Sequence, residues 1–126
     1  MNFEEYNVLG NIINDGWGKS TEDSGGAFKI ISKIISEERM SVTCMMVVNL
    51  LNRQDMKKES DKAYEQCKKI CNEALKKIKK EFKTLAGRTL KTKELGHDES
   101  VELINMSTYS PKGTALVRCV YNFEVK

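Results

Sequence analysis

The run Gly18-Lys19-Ser20-Thr21, inside NDGWGKSTEDSGG (residues 14–26), ends as a phosphate-binding loop ends. Such a loop wraps phosphates in backbone amides and needs a second glycine five positions before the one that precedes the lysine. That position holds Ile13, and no strand pattern leads into the segment. Nucleotide binding is therefore not expected. The stretch reads instead as a glycine-rich loop around one large side chain, Trp17, the only tryptophan in the chain. Aromatic residues of this kind are enriched at the energetic centres of interfaces, so Trp17 is a candidate anchor, on its own domain or on a neighbour.

Four cysteines offer a second chemistry. Cys67 and Cys71 stand one helical turn apart, while Cys44 and Cys119 fall on apolar faces elsewhere. Structural zinc sites favour C-x2-C pairs on knuckles over an i, i+4 pair on one helix, and free cysteine is a common small core residue. Core filling is the expectation, with a thiolate metal site or a redox pair as alternatives. His97, the single histidine, precedes Asp98. A carboxylate can orient an imidazole for base catalysis, but no second histidine or activated nucleophile accompanies the pair, and aspartate suits a turn for backbone reasons. The chain is expected to be no enzyme and to carry no metal or cofactor.

The third feature is electrostatic. Residues 76–93, KKIKKEFKTLAGRTLKTK, hold eight basic side chains and only Glu81 as an acid, whereas residues 1–38 hold seven acids against three lysines. Lysine and arginine bind nucleic acid by neutralising its phosphates, yet apart from Phe82 no aromatic residue stands nearby to stack on bases. A solvated face is the plain reading. Contact with an acidic protein surface is the functional one, and Lys76, Lys77, Lys79, Lys80, Lys83 and Arg88 are its candidate residues. The acidic N-terminal third of a second copy supplies such a surface, and head-to-tail packing of unlike patches makes rings or filaments.

A chain of 126 residues is one domain by length. Hydrophobic residues make up 40% and charged residues 31%, which argues against wholesale disorder, and the net charge of +3 implies no polyanion partner by itself. The acidic start MNFEEYNVLG does not resemble an export signal, so the cysteines are expected to stay reduced. The most apolar window, Val42–Leu51, is too short to span a bilayer. No internal repeat is visible.

These residues need elements to hold them. Residues 1–25 read as an arm, with a short apolar turn at Val8, Leu9, Ile12 and Ile13, and residues 26–126 as a single α+β domain. In AFKIISKIISEER (27–39), Phe28, Ile31 and Ile35 fall at helical spacing, which predicts a short amphipathic helix. The next segment, MSVTCMMVVNLL (40–51), fits a buried strand by its Val and Thr content, or a continuation of that helix; strand is preferred. From Asp55 to Ala86 apolar residues recur in steps of three and four, and Gly87 stands where a C-terminal cap belongs. Such a helix is roughly 45 Å long, against about 28 Å for the width of a compact domain of this size. It is expected to protrude, bend or pack on another chain. Beyond it the period changes to two. Residues 88–95 alternate, Gly96-His97-Asp98 turns, 100–109 extends, and Ala115, Val117, Cys119, Tyr121, Phe123 and Val125 share one face of a last strand, a three-stranded antiparallel meander.

A long basic helix, short strands and a closing alternating strand, GTALVRCVYNFEV, resemble small tailed-bacteriophage virion proteins of the neck and tail, the connector, tail-terminator and tail-completion subunits. The resemblance covers residues 26–126 and rests on element order, not on a diagnostic motif. It implies a ring-forming structural protein of the virion and carries over no site residue. The alternative is a small cytoplasmic binding or regulatory module that contacts nucleic acid through its basic helix end. The expected partners are copies of the chain itself and other structural proteins, with no membrane and no small molecule.

Overall fold

The computed structural model describes residues 1–16, 20, 21, 28–106 and 113–126. The chain opens with a helix, α1 (Phe3–Gly16). Its start is closed reciprocally: the Glu5 N–H donates to Asn2 Oδ1 at 2.8 Å, and the Asn2 N–H donates to Glu5 Oε1 at 3.2 Å. This is a capping box with Asn2 as N-cap, and it satisfies two amides that the helix leaves unpaired. Leu9, Ile12 and Ile13 lie in the core. The N-terminal arm expected over residues 1–25 is therefore a packed helix through residue 16, because its aliphatic residues form one stripe that packs on α2 and on β2.

After the two-residue strand β1 (Ser20–Thr21) come β2 (Phe28–Ser36) and β3 (Arg39–Leu50), an antiparallel hairpin turned at Glu37-Glu38. The short helix expected over 27–39 is thus a strand, while residues 39–50 are the strand that was preferred. Paired isoleucines at 30/31 and 34/35 satisfy both a helical stripe and strand alternation. Their β-branched side chains tip the balance once β3 offers a partner.

The long helix α2 (Met56–Ala86) forms as its periodicity requires, burying Ser60, Ala63, Cys67, Cys71, Ala74, Leu75, Ile78 and Phe82. It ends at Gly87, whose φ of 79° is left-handed and whose N–H donates to the Lys83 carbonyl at 3.0 Å. The helix does not overhang its own domain. At 31 residues it is about 46 Å long, and β5 (Gly113–Val125), with 13 residues, extends about 44 Å beneath it. The domain is a slab rather than a sphere, so the rod finds its partner within the chain.

The expected three-stranded meander is a two-stranded hairpin. Residues 92–106 form one continuous strand, β4, paired with β5 along its length. Gly96 does not turn the chain; at φ 147° it sits in a β-bulge opposite Phe123 and Asn122. All strands are antiparallel in the order β1-β2-β3-β5-β4. The α+β class, with a long helix on an antiparallel sheet, is as expected from the sequence.

Both helices lie on one side of the sheet. α2 packs along β3 and β5, and α1 packs beside it on α2 and β2. The core between the layers is built from Leu9, Met40, Val42, Ile78, Phe82 and Val117 with their neighbours. The order helix–hairpin occurs twice, as α1-β2-β3 and as α2-β4-β5, and the second strands of the two hairpins pair with each other. Val42-Thr43-Cys44 and Val117-Arg118-Cys119 occupy equivalent places about the Cys44–Cys119 pair. The sheet therefore has an approximate internal two-fold that the sequence does not announce.

Candidate protein–protein interface

Side chains alternate across a strand, so the registers sort the sheet into two faces. Met40, Val42, Cys44 and Met46 of β3, and Val117, Cys119, Tyr121 and Phe123 of β5, point to the helices and are buried. Ile31, Thr43, Met45, Val47, Leu116 and Val120 point the other way, aligned by the pairs Ile31–Thr43, Thr43–Val120 and Val47–Leu116. No described element covers that face. Val47 is 40% exposed and Ile35, towards the opposite end of the face on β2, is 56% exposed.

The rim of this face is charged, and unequally so. On β2, Lys33 lies beside Ser41. On β4, Asp98, Ser100 and Glu102 lie beside Val120, Arg118 and Leu116. The β2 margin is basic at Lys33, the β4 margin is acidic at Asp98 and Glu102 with Lys93 at one end, and the apolar centre between them holds Arg118, with Arg39 and Glu124 at the Lys93 end. The outer edge of β4 is guarded against strand addition by its bulges at Gly96 and beyond Leu103 and by exposed Glu94, Asp98 and Glu99.

The basic helix end divides into two groups. Lys76, Lys77, Lys80 and Lys83 are exposed on the outer face of α2, and Lys79 is half-buried. Arg88 is engaged internally instead. Its Nε donates to Glu5 Oε2, its Nη1 to the Thr89 and Lys126 carbonyls at 3.1 Å each, and its guanidinium carbon sits 5.4 Å from the centre of the Phe82 ring. The start of α1 and the end of α2 therefore meet inside one protomer. One acid of the N-terminal third and one base of the helix end thus pair within the same chain, while Lys76, Lys77, Lys80 and Lys83 stay exposed. Trp17, the expected anchor, lies outside the described residues.

His97 and Asp98 are successive residues of β4 and face opposite sides, so they form no pair. The His97 ring stacks on Tyr121 at 5.1 Å, with Nε2 3.2 Å from Glu99 Oε1 and Nδ1 3.9 Å from Glu94 Oε1. Burial raises the Tyr121 hydroxyl above its ordinary range. Tyr121 has no exposed surface to offer, and the cluster braces the β4–β5 hairpin.

All four cysteines are buried together, two from α2 and two from the paired strands, which their spacing in the chain did not suggest. All four thiols are free; hydrogen bonding from Cys67 favours the Cys44 thiolate, but its hydrogen bond with Cys71 and its burial outweigh this and push it up to about 12. Cys67 hydrogen-bonds to Cys119, opposed by its hydrogen bond with Cys44 and by burial, and is also pushed up to about 12. The hydrogen bond to Cys67, with burial, carries Cys119 higher still. Cys71 Sγ lies 3.9 Å from the Val42 carbonyl oxygen. The set is a string of neutral thiols, and among the described residues no group of three or more His, Cys, Asp or Glu side chains is arranged to hold a metal ion.

A cleft of about 390 Å³ between α1 and β2 is lined by Tyr6, Asn7, Gly10, Asn11, Ser32 and Lys33, with Ile13 and Ile34 behind them. The buried Ser32 hydroxyl has no partner among the described residues. The Lys33 side chain belongs to the opposite face of the sheet, and one orphan hydroxyl does not amount to a built site.

The open face was legible only in part. The doublets Ile30-Ile31 and Ile34-Ile35 and the run Met45–Val48 carry apolar residues in both phases of a strand, which is how a sheet buried on both faces reads. No protein family, characterised protein or solved structure is found to match this chain.

Proposed function

We propose that the chain is a non-enzymatic structural protein that acts by assembling with other protein subunits, copies of itself first. The observation that carries this reading is the sheet face that no described element covers. A two-layer α/β slab buries one side of its sheet under helices, and a polar opposite side is its ordinary solution in water. Here the opposite side is centred on Ile31, Met45, Val47, Leu116 and Val120, an apolar surface of the kind that marks contact sites on soluble proteins. The ring of a bacteriophage neck or tail is the setting that the sequence resemblance implies. No helix among the described residues is long and apolar enough to cross a membrane.

Light scattering with mass determination, supported by native mass spectrometry over a dilution series, tests the proposal. The expected result is a particle whose mass is a multiple of 14.4 kDa and which dissociates on dilution. A protein that stays a monomer at its highest soluble concentration overturns self-assembly. A second reading follows from Lys76, Lys80 and Lys83, exposed together on the outer face of α2: contact with a nucleic-acid backbone. A mobility-shift assay at two salt concentrations distinguishes it, because phosphate contacts weaken steeply with salt.

A further inference from the structure

We infer that the open sheet face docks a second copy of this chain face to face, about a two-fold axis parallel to the strands, with β2 of each copy over β4 of the other. The inference rests on the self-association proposed above and names its surface and geometry.

The charge pattern selects this arrangement. A two-fold parallel to the strands carries Lys33 of one copy towards Asp98 on the β4 margin of the other and sets Arg39 over the partner's Glu124. Each residue keeps its level along the strands, so Lys33 lies one same-face step, about 7 Å, from the level of the partner's Asp98 and an equal step, on the other side, from that of the partner's Lys93. The long lysine stem spans that offset, and the same contact repeats on the far side. The apolar centre closes on itself: Val47 stacks over the partner's Leu116, and Thr43 over the partner's Val120, because each pair already shares a row of the sheet. Arg118 comes to lie over the partner's Met45, its register neighbour in its own chain, where its aliphatic stem covers apolar surface and its charge reaches towards the rim. The alternative two-fold, perpendicular to the strands, keeps β2 over β2 and β4 over β4, so that Lys33 no longer meets Asp98 and Arg39 no longer meets Glu124.

The dimensions suit a stable pair. Four strands about 4.8 Å apart and about ten residues long present roughly 650 Å² per copy. Two copies together bury about 1,300 Å², within the range of specific interfaces. Sheets stacked this way sit about 10 Å apart, crossed at about 30° by their twist. Strand-to-strand growth along β4 is the competing mode, and the bulges and charges of that edge disfavour it.

The test exploits the symmetry. In Lys33→Glu the homodimer sets the introduced carboxylate against Asp98 twice. In Asp98→Lys it sets the introduced ammonium against Lys33 twice. Asp98→Lys alone is expected to dimerise at least about tenfold more weakly than the parent chain, and Lys33→Glu alone less severely, because the partner's Lys93 offsets part of its repulsion. Mixed in equal amounts, the two variants restore both contacts with opposite charges, and native mass spectrometry is expected to show a 1:1 heterodimer in preference to either homodimer. Both side chains are exposed on the sheet surface, and far-UV circular dichroism with cooperative unfolding verifies that each variant folds. If the parent chain assembles but the mixture shows no preference for the heterodimer, this geometry is wrong and another surface carries the assembly. If the parent chain is a monomer, the self-association itself has failed.

Discussion

Arg88 holds three parts of the molecule at one point: the first turn of α1 through Glu5, the end of α2 through the Phe82 ring, and the C-terminus through the Lys126 carbonyl. Glu5 is engaged twice, by Arg88 and by the Asn2 amide. The hydrogen bond from Arg88 and then the one from Asn2 hold its carboxyl below the ordinary carboxylate range. A carboxylate whose folded pKa is depressed stabilises the fold above its unfolded pKa and loses that contribution as pH falls through the folded one. Urea unfolding followed from neutral to acid pH is therefore expected to show stability declining in this window. In Glu5→Gln that part of the decline is absent, and an unchanged acid profile would show that the contact carries no linked stability. The residue scale also explains a reading that missed. Arg88 stands among lysines in the chain and looks like one more surface cation; its distinction, a partner 83 positions away, is a property of topology.

At the scale of elements, the legible parts are those whose signal is local and repeated. α2 declares itself because apolar residues return every three or four positions over its whole length, and its stop is written in a single residue. Gly87 holds a φ of 79°, and nothing stands within 4 Å of a Cβ added there. Gly87→Ala is expected to lower stability by roughly 1 kcal/mol, the cost of a left-handed conformation for an L-residue, with no loss from crowding. Chemical denaturation of the two proteins measures it, and an unchanged midpoint refutes the capping role. The α1 start was equally local: Asn2 and Glu5 stand three apart at the head of an acidic first turn, a signal the glycine-rich sequence that follows overshadowed. β2 and β4 were not local. The isoleucine doublets of β2 fit two periods until β3 lies alongside. Gly96-His97-Asp98 carries the composition of a turn until β5, running straight through 13 residues, templates a bulge instead. Pairings across long sequence separation decide these cases, and one strand's own residues do not contain them.

At the scale of the whole molecule, the slab form changes which surface must seek company. A length argument made α2 the unsatisfied element, yet α2 packs along its own sheet, and it is the underside of that sheet that no described element covers. The same two residue sets predict separable effects on assembly. Rim charges such as Lys33 and Asp98 stay hydrated and screened, so they set orientation and encounter more than final affinity. Apolar residues at the centre lose water on contact and carry the affinity. Because the contact is two-fold, every substitution acts twice per dimer. Val47→Glu brings one carboxylate from each copy into the desolvated centre, where Arg118 one same-face step away offsets only part of the cost, and its expected effect is a dissociation constant raised at least about tenfold. Added salt, by contrast, is expected to weaken the parent dimer only a few-fold, through the rim alone. Sedimentation equilibrium at low and high salt, on the parent chain and on Val47→Glu, reads both quantities in one experiment. Collapse of the parent dimer in salt, with Val47→Glu unaffected, would transfer the affinity from the sheet centre to charge and with it move the interface to the lysine face of α2.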